Sequence, residues 1–339
     1  DRRPMQATRP ASPTALLALS LATLLTLVGG SPARAADTAA TSLSIDRLFN
    51  GPDLAGASLR KVRFAPDGKS VTFLQGKPEA KDRLDLWALD VASGERRLLV
   101  DSATLQRDEG RLSPEEEARR ERQRTSSLAG IVDYEFSGDG RLLLLPLGGD
   151  LFVYDLRAAR GSSPVQRLTS TPAAETDARF SPDGRYVSFV REQNLYAIEL
   201  ATRREIAVTR DGAGLVSFGT AEFIAQEEMD RDTGYWWSPD SRRIAYMRVD
   251  EAPVDEVERF EINAENVQVI RQRYPAAGRP NARVELFVRD LDAASPGRKL
   301  DAAGAGDGYL ARVDWFPDSK SLAVQRQSSW TSDKYKKFD

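Results

Sequence analysis

The 339-residue chain contains no cysteine and no histidine. Without cysteine it can form no disulfide, thiolate nucleophile or cysteine-ligated metal centre. Without histidine it lacks the commonest metal ligand and the commonest general base, so a Ser-Asp-His triad cannot be completed from this chain. No G-x-S-x-G nucleophile elbow occurs either. We therefore expect no cofactor, no metal and no catalytic residues within these 339 residues, and the chain alone should be inactive.

An excess of positive charge is also missing. The formal net charge is −3, with 29% charged and 41% hydrophobic residues. This composition is typical of a globular protein. Because no basic excess is available to neutralise phosphates, we expect no nucleic-acid partner.

Only the amino-terminal end carries a long hydrophobic run. Ala15 to Val28 follows a lead with three arginines and precedes the small-x-small sequence Ala33-Arg34-Ala35. This pattern is typical of a signal peptide, and an uncleaved membrane anchor is the alternative. We predict a signal peptide over residues 1–35, cleavage after Ala35, and export to a bacterial periplasm or beyond. The mature part, residues 36–339, would then keep no stable membrane anchor.

A short motif recurs five times: an aromatic residue, one residue, Pro or Gly, Asp, then Gly or Ser. The five copies begin at Phe64, Phe136, Phe180, Trp237 and Trp315. Each copy leads into an apolar strand, as a reversing turn between two strands would. Asp139 and Asp183 are about 44 residues apart, which is the length of a propeller blade. The repeat predicts an all-β fold, an incomplete β-propeller of about five blades, and favours it over a β-sandwich.

Longer spacings between the other copies indicate insertions, where function is expected on a rigid scaffold. In the first, Ser113, Pro114 and Glu116 form a capping box that predicts a helix over residues 114–127. Glu115–Arg119 and Glu116–Arg120 are predicted i,i+4 ion pairs on this helix. Because the helix has no apolar stripe, it is either a solvated helix held by these ion pairs or an arm that presents an arginine. The candidates for that arginine are Arg120, Arg122 and Arg124.

The second insertion contains adjacent carboxylates, Glu227 and Glu228, followed by Trp236 and Trp237. Adjacent glutamates repel each other unless a cation lies between them, so they are candidates for binding the free amino end of a peptide. A solvated charged loop is the alternative interpretation. The third insertion predicts a projecting β-hairpin arm, residues 257–274, with an apolar side that would pair with another chain.

These features together resemble the N-terminal propeller of the dipeptidyl peptidase IV subfamily of prolyl-oligopeptidase-like serine peptidases, in its bacterial exported form. The resemblance covers about residues 43–330. It is carried by Glu227-Glu228, the Tyr235 to Pro239 run, Asp250 to Val254, Arg273 to Gly278 with Asn281, and the helix Ala118 to Arg124.

The resemblance implies an eight-bladed propeller that gates an α/β-hydrolase domain. The enzyme would release X-Pro or X-Ala dipeptides from peptides with a free amino end. Glu227 and Glu228 would hold the substrate ammonium, and Arg124 would hold a substrate carbonyl. A homodimer through the arm 257–274 is also implied. This sequence departs from the family pattern because the hydrolase domain is not found in it. A non-catalytic periplasmic propeller that serves as a binding scaffold is therefore the competing hypothesis.

Overall fold

The computed structural model describes residues 43–50, 54, 58–106, 112–159, 161–262, 264–293, 296–301, 308–328 and 333–338. The predicted signal peptide lies outside these residues. The chain divides into two compact units, Asp1–Leu54 and Ala55–Asp339. In the first unit, helix α1 (Ile45–Phe49) begins after Ser44, whose side chain accepts a hydrogen bond from the Arg47 amide.

In the described residues, the second unit contains five mainly antiparallel sheets that follow one another in chain order, together with a separate two-stranded hairpin. The first sheet contains β1 (Arg60–Phe64), β2 (Ser70–Lys77), β3 (Ala80–Asp90) and β4 (Arg96–Val100), with the short β5 (Ala129–Gly130) parallel to β3. The second contains β6 (Glu135–Phe136), β7 (Leu142–Leu147), β8 (Asp150–Asp155) and β9 (Val165–Arg167). The third contains β10 (Thr176–Phe180), β11 (Tyr186–Arg191), β12 (Asn194–Glu199) and β13 (Glu205–Ala207).

The fourth sheet is interrupted twice. It contains β14 (Val216–Phe218), β15 (Tyr235–Trp237), β16 (Arg243–Asp250), β19 (Arg283–Asp290) and β20 (Arg298–Leu300). Between β16 and β19 a separate two-stranded hairpin projects, formed by β17 (Glu256–Ile262) and β18 (Val267–Arg273), and we call it the arm. The fifth sheet contains β21 (Gly308–Trp315), β22 (Leu322–Ser328) and β23 (Asp333–Phe338). The five predicted propeller blades are confirmed.

Three further helices occur in the described residues of this unit: α2 (Ser102–Leu105), α3 (Pro114–Arg122) and α4 (Phe223–Glu228). Helices α2 and α3 follow the first blade, and α4 lies inside the fourth. Within the described ranges, no helix combines the length and the apolar character that a bilayer crossing demands.

The repeated turns have one shared geometry. Their fifth residue adopts a left-handed backbone, with φ of +68° at Gly68, +67° at Gly140 and +71° at Gly184. Glycine adopts this conformation without steric cost, and serine takes its place at Ser241 and Ser319. The sequence motif therefore specifies the turn directly, and this is why the blade repeat can be recognised in the sequence.

Neighbouring blades pack through the aromatic residue that opens each turn. Trp237 of the fourth blade stacks on Tyr186 of the third, with ring centroids 5.8 Å apart. Phe180 of the third blade is buried in a cluster with Leu144 of the second. The equivalent residue of the first blade, Phe64, is 70% exposed. Each blade thus covers the opening aromatic of the next, and that of the first blade is uncovered, as in an incomplete propeller.

Candidate functional site

The segment that carries the paired glutamates is an insertion within one strand. β14 and β15 pair with successive parts of β16, so together they form the first strand of the fourth blade. Residues 219–234 leave that strand and return to it at one point, where the Gly219 amide donates to the Met247 carbonyl and the Met247 amide donates to the Gly234 carbonyl. A Cβ at Gly234 would lie 2.1 Å from the Thr220 carbonyl oxygen. Only glycine fits at position 234. We call this point, formed by Gly219 and Gly234 on either side of Met247, the neck, and it fixes where the insertion begins and ends.

Helix α4 lies within this insertion and is anchored by a buried ion pair. The Glu222 side chain caps α4 by accepting from the Ala225 amide at 2.7 Å, and its other oxygen lies 3.6 Å from Arg231. Arg231 also donates to the carbonyls of Thr233 and of Leu310 in the fifth blade. Burial raises the pKa of Glu222 and lowers that of Arg231, and each charge opposes the shift of the other. The pair therefore ties α4 to the fifth blade at a desolvation cost.

Helix α3 begins as predicted but is not a solvated helix. Ser113 Oγ accepts from the Glu116 amide at 3.2 Å, and Pro114 opens the first turn. The predicted Glu116–Arg120 pair forms at 3.0 Å, yet both residues are buried, with Glu116 also accepting from Thr176 of the third blade. The side chain of Glu115, in the other predicted pair, lies outside the described residues. Of the two interpretations of this helix, the solvated helix does not hold, because its Glu116–Arg120 ion pair is buried against the third blade.

Helix α3 ends at Arg122, earlier than the predicted end at Ser127. Arg124 has a left-handed backbone with φ of +54°. The Thr125 amide donates to the Arg120 carbonyl, and the Arg124 amide donates to the Glu121 carbonyl. These are the two hydrogen bonds of a Schellman cap, with arginine at the position that glycine usually holds. The cap leaves Arg124 beyond the helix and exposed.

The carboxyl end of α3 meets α4. Arg122 Nη1 donates to Gln226 Oε1 at 2.8 Å, and its Nε lies 3.3 Å from Glu227 Oε1. The Arg122 guanidinium also lies over the Phe223 ring, 5.1 Å from its centroid. Next to it, Gln123 Nε2 donates to Asp232 Oδ2 at 2.9 Å. The two insertions named from the sequence therefore touch, through Arg122 of the three candidate arginines.

Glu227 and Glu228 end α4 and are exposed; the Glu227 side chain retains 38% of its accessible surface. The Glu228 side chain makes no hydrogen bond or ion pair with the part of the chain that the structure describes. Arg120 is committed to Glu116 in the interior, and the side chain of Arg124 does not reach the glutamates. The structure thus brings Arg122 and Glu227 together and leaves Arg124 apart from them.

Two adjoining cavities flank this contact. The first, of 420 Å³, lies between α3, the neck and the arm, and is lined among others by Arg122, Phe223, Gln226 and Asp177. The second, of 550 Å³, lies on the other side of α4 toward the fifth blade. Phe223, Glu251 and Arg273 line both. Their volumes are within the range of small-ligand and peptide sites.

Glu251 contributes a further carboxylate where the cavities adjoin. Burial raises the pKa of Glu251, and the charges of Arg122 and Arg273 oppose that rise. Among the described residues, no cluster of three or more acidic side chains is arranged to hold a metal ion. The residues that line the two cavities include the carboxylate of Glu251 and the guanidinium groups of Arg122 and Arg273.

The model of the dipeptidyl peptidase IV (DPP IV) N-terminal region matches residues 139–329. The chain belongs to this family. It is 27% identical to human dipeptidyl peptidase 8 over 246 residues, covering 63% of this chain and 27% of that protein. It is 30% identical to the probable dipeptidyl-aminopeptidase B of Aspergillus oryzae over 206 residues, covering 56% and 22%. The chain thus spans about a quarter of the length of these relatives.

The fold is also that of solved family members. The crystal structure of Porphyromonas gingivalis dipeptidyl peptidase 4 superposes with a TM-score of 0.60 at 24% identity, over 80% of this chain and 37% of that one. A dipeptidyl aminopeptidase IV structure from Bacteroides ovatus superposes with a TM-score of 0.53 at 18% identity, over 84% and 36%. The propeller predicted from the repeat is therefore the fold of this family's N-terminal region.

Sequence reasoning did not single out Phe223, Gln226 or Glu251. The first two have a detectable signal, since Phe223, Gln226 and Glu227 are spaced i, i+3 and i+4 and so share one face of a helix. This spacing has meaning only if residues 223–228 are helical, and the sequence analysis did not predict that helix. Glu251 lies in the Asp250 to Val254 stretch that carries the resemblance, but its burial beside α3 and the arm could not be predicted from that stretch alone.

Proposed function

We propose that this chain is the part of a serine-type dipeptidyl peptidase that gates the substrate and recognises its free amino end. The parent enzyme would release X-Pro or X-Ala dipeptides. The observation that carries the proposal is the contact of Arg122 with Glu227 beside a cavity of peptide size. Family membership supports a peptidase as the parent protein.

In this proposal Glu227 and Glu228 bind the substrate ammonium. Both are near the end of α4, where the Glu222–Arg231 pair and the glycine neck fix the helix. Charge-assisted hydrogen bonds to an ammonium are strong and depend on geometry, so a fixed helix end suits them. An acetylated amino end has no charge and would leave both carboxylates without a partner.

We propose Arg122 as the group that binds the first peptide carbonyl, a role that the family resemblance placed on Arg124. Arg122 is next to Glu227 and lines the cavity, whereas Arg124 lies beyond the helix cap. A carboxylate pair and a guanidinium at fixed separation would measure two residues from the amino end. The serine, aspartate and histidine of the triad would come from outside this chain, which has no histidine.

The arm is proposed to pair with a second copy of the protein. Phe260 and Ile262 of β17 lie opposite Val269 and Val267 of β18, so the four apolar side chains share one face of the ribbon. They are 54 to 77% exposed. Exposed apolar faces of this kind mark interaction surfaces. We also keep export to the periplasm as a proposal, which rests on the amino-terminal sequence.

The proposed anchor is tested by Glu227→Gln and Glu228→Gln in the full-length protein, assayed on an Ala-Pro substrate with a chromogenic leaving group. Each variant keeps the side-chain volume and removes the charge. We expect kcat/KM to fall by a factor that corresponds to a loss of about 2–4 kcal/mol in transition-state binding. Glu95→Gln, in an exposed turn of the first blade, is the matched control and should leave kcat/KM unchanged. Wild-type kinetics in both anchor variants would refute the assignment.

A further inference from the structure

Arg122 is supported by one face of α4. Phe223, Gln226 and Glu227, at positions i, i+3 and i+4, contact it through a ring, an amide oxygen and a carboxylate. Of these three supports only Glu227 carries a charge. If an ammonium binds Glu227, the ion pair to Arg122 is shared or lost, because one carboxylate then serves two cations. The uncharged supports, Phe223 and Gln226, do not compete for that ammonium.

The Phe223 ring has its own support from the arm. The Tyr274 ring lies edge-on to it, with centroids 5.2 Å apart and an interplanar angle of 73°. Tyr274 directly follows β18, and its amide donates to the Asp255 carbonyl at 3.0 Å, which closes the base of the arm. Edge-to-face pairs of this kind are favourable and define the ring orientation. The arm thus reaches the guanidinium through two aromatic rings.

We propose that Phe223 and Tyr274 are positioning residues, which hold the Arg122 guanidinium in place for the substrate carbonyl while Glu227 is occupied by the substrate ammonium. This inference rests on the proposed function. A guanidinium within about 6 Å of an aromatic centroid is held by the negative face of the ring. The separation of 5.1 Å satisfies that condition.

Location also favours this role over simple core packing. Phe223 is only partly buried and lines both cavities, so one side of it faces the space where a ligand would bind. Tyr274 is 41% exposed. Side chains that served only to fill the interior would be buried on all sides.

The test uses Phe223→Leu, Phe223→Tyr and Arg122→Ala in the full-length protein. Each is assayed on the chromogenic Ala-Pro substrate and on its analogue in which the first carbonyl is reduced to a methylene. We expect Phe223→Leu to lower kcat/KM for the normal substrate by about 3- to 30-fold, the range of a cation–π contact. It should change kcat/KM for the reduced analogue by less than about twofold, because that analogue has no carbonyl to bind. Phe223→Tyr keeps the ring and should restore the normal value.

The double variant decides whether Phe223 acts through Arg122. In the Arg122→Ala background, Phe223→Leu should have no further effect on the normal substrate, since coupled residues are not additive. Equal losses on both substrates, or additive losses, would overturn the positioning role and leave the proposed function intact. An Arg122→Ala enzyme with wild-type kinetics would overturn both the positioning role and the assignment of the substrate carbonyl to Arg122, and would leave the ammonium-binding role of Glu227 and Glu228 to its own test.

Two variants of Tyr274 provide a second test in case Phe223→Leu does not fold. Tyr274→Leu should produce the same substrate-dependent loss as Phe223→Leu in smaller measure, and Tyr274→Phe should not. This comparison stands if Phe223→Leu fails to fold, and equal kinetics for Tyr274→Leu and Tyr274→Phe would contradict the role of the arm. Phe316→Leu, the same substitution at a partly exposed turn of the fifth blade, controls for the loss of an aromatic side chain.

Discussion

Nε of Arg122 lies 3.3 Å from Oε1 of Glu227, and this contact joins the helix inserted after the first blade to the helix inserted within the fourth. The hydrogen bond from Gln123 to Asp232 joins the same two insertions beside it. In the proposed function, these two charged groups set the distance between the substrate ammonium and the substrate carbonyl.

The first prediction separates the arginines of α3. Arg122→Ala in the full-length protein should lower kcat/KM for an Ala-Pro chromogenic substrate, because it removes a charged contact. The expected decrease corresponds to a loss of about 2–4 kcal/mol in transition-state binding. Arg124→Ala, beyond the helix cap, should lower it by less than about threefold, or about 0.7 kcal/mol. A larger loss in Arg124→Ala than in Arg122→Ala would return the role to the residue first inferred from the family.

The second prediction concerns the Glu222–Arg231 pair under α4. Arg231→Met should lower the free energy of unfolding by about 3–5 kcal/mol, because it leaves the Glu222 carboxylate buried without a partner. Urea denaturation measures this change. The control is Arg271→Ala, which breaks the exposed arm pair with Glu258 and should cost no more than about 0.5 kcal/mol. Equal effects of the two variants would mean that the buried pair does not anchor α4.

The third prediction is a pH dependence of stability due to Glu135 of β6. Burial raises the pKa of Glu135 to about 7, against the opposing charges of Arg179 and Arg63, and Asp177 adds to the rise. The folded state therefore binds this proton more tightly than the unfolded state does. Between the ordinary glutamate value and pH 7, stability should fall as pH rises, by about 2–3 kcal/mol.

Denaturation with urea at pH 5 and at pH 8 tests this dependence. Glu135→Gln should remove that share of the difference between the two pH values, whereas Glu95→Gln in an exposed turn should keep it. If the wild type and Glu135→Gln lose stability in parallel, the carboxyl group does not titrate as its burial implies.

The fourth prediction concerns assembly through the arm. Phe260→Asp and Val269→Asp place charge on the exposed apolar face and should convert a dimer of the full-length protein to monomers. Gln268→Asp adds the same charge on the opposite face of the ribbon and should keep the dimer. Sedimentation velocity distinguishes the two states. A wild-type monomer, or a dimer that tolerates both apolar-face changes, would show that the arm does not mediate assembly.

The blades could be predicted from sequence because their signal is local: five turns with Asp and a left-handed Gly or Ser, each followed by an apolar strand. The packing of α3 could not, because burial of Glu116 depends on Thr176 in another blade. The early end of α3 at Arg122 could not be predicted either, because arginine rarely takes the left-handed cap position that Arg124 holds. The choice of Arg122 among three arginines required α4, which the chain reaches only in the fourth blade.

The most direct test of amino-end recognition compares two substrates that differ only at that end. In the full-length wild-type protein, acetylation of the Ala-Pro chromogenic substrate should lower kcat/KM, because the ammonium is lost. The expected decrease corresponds to a loss of about 2–4 kcal/mol or more in transition-state binding. In the double variant Glu227→Gln/Glu228→Gln, free and acetylated substrates should be cleaved with nearly equal kcat/KM. Equal cleavage of the two substrates by the wild type, or an undiminished preference in the double variant, would contradict the account.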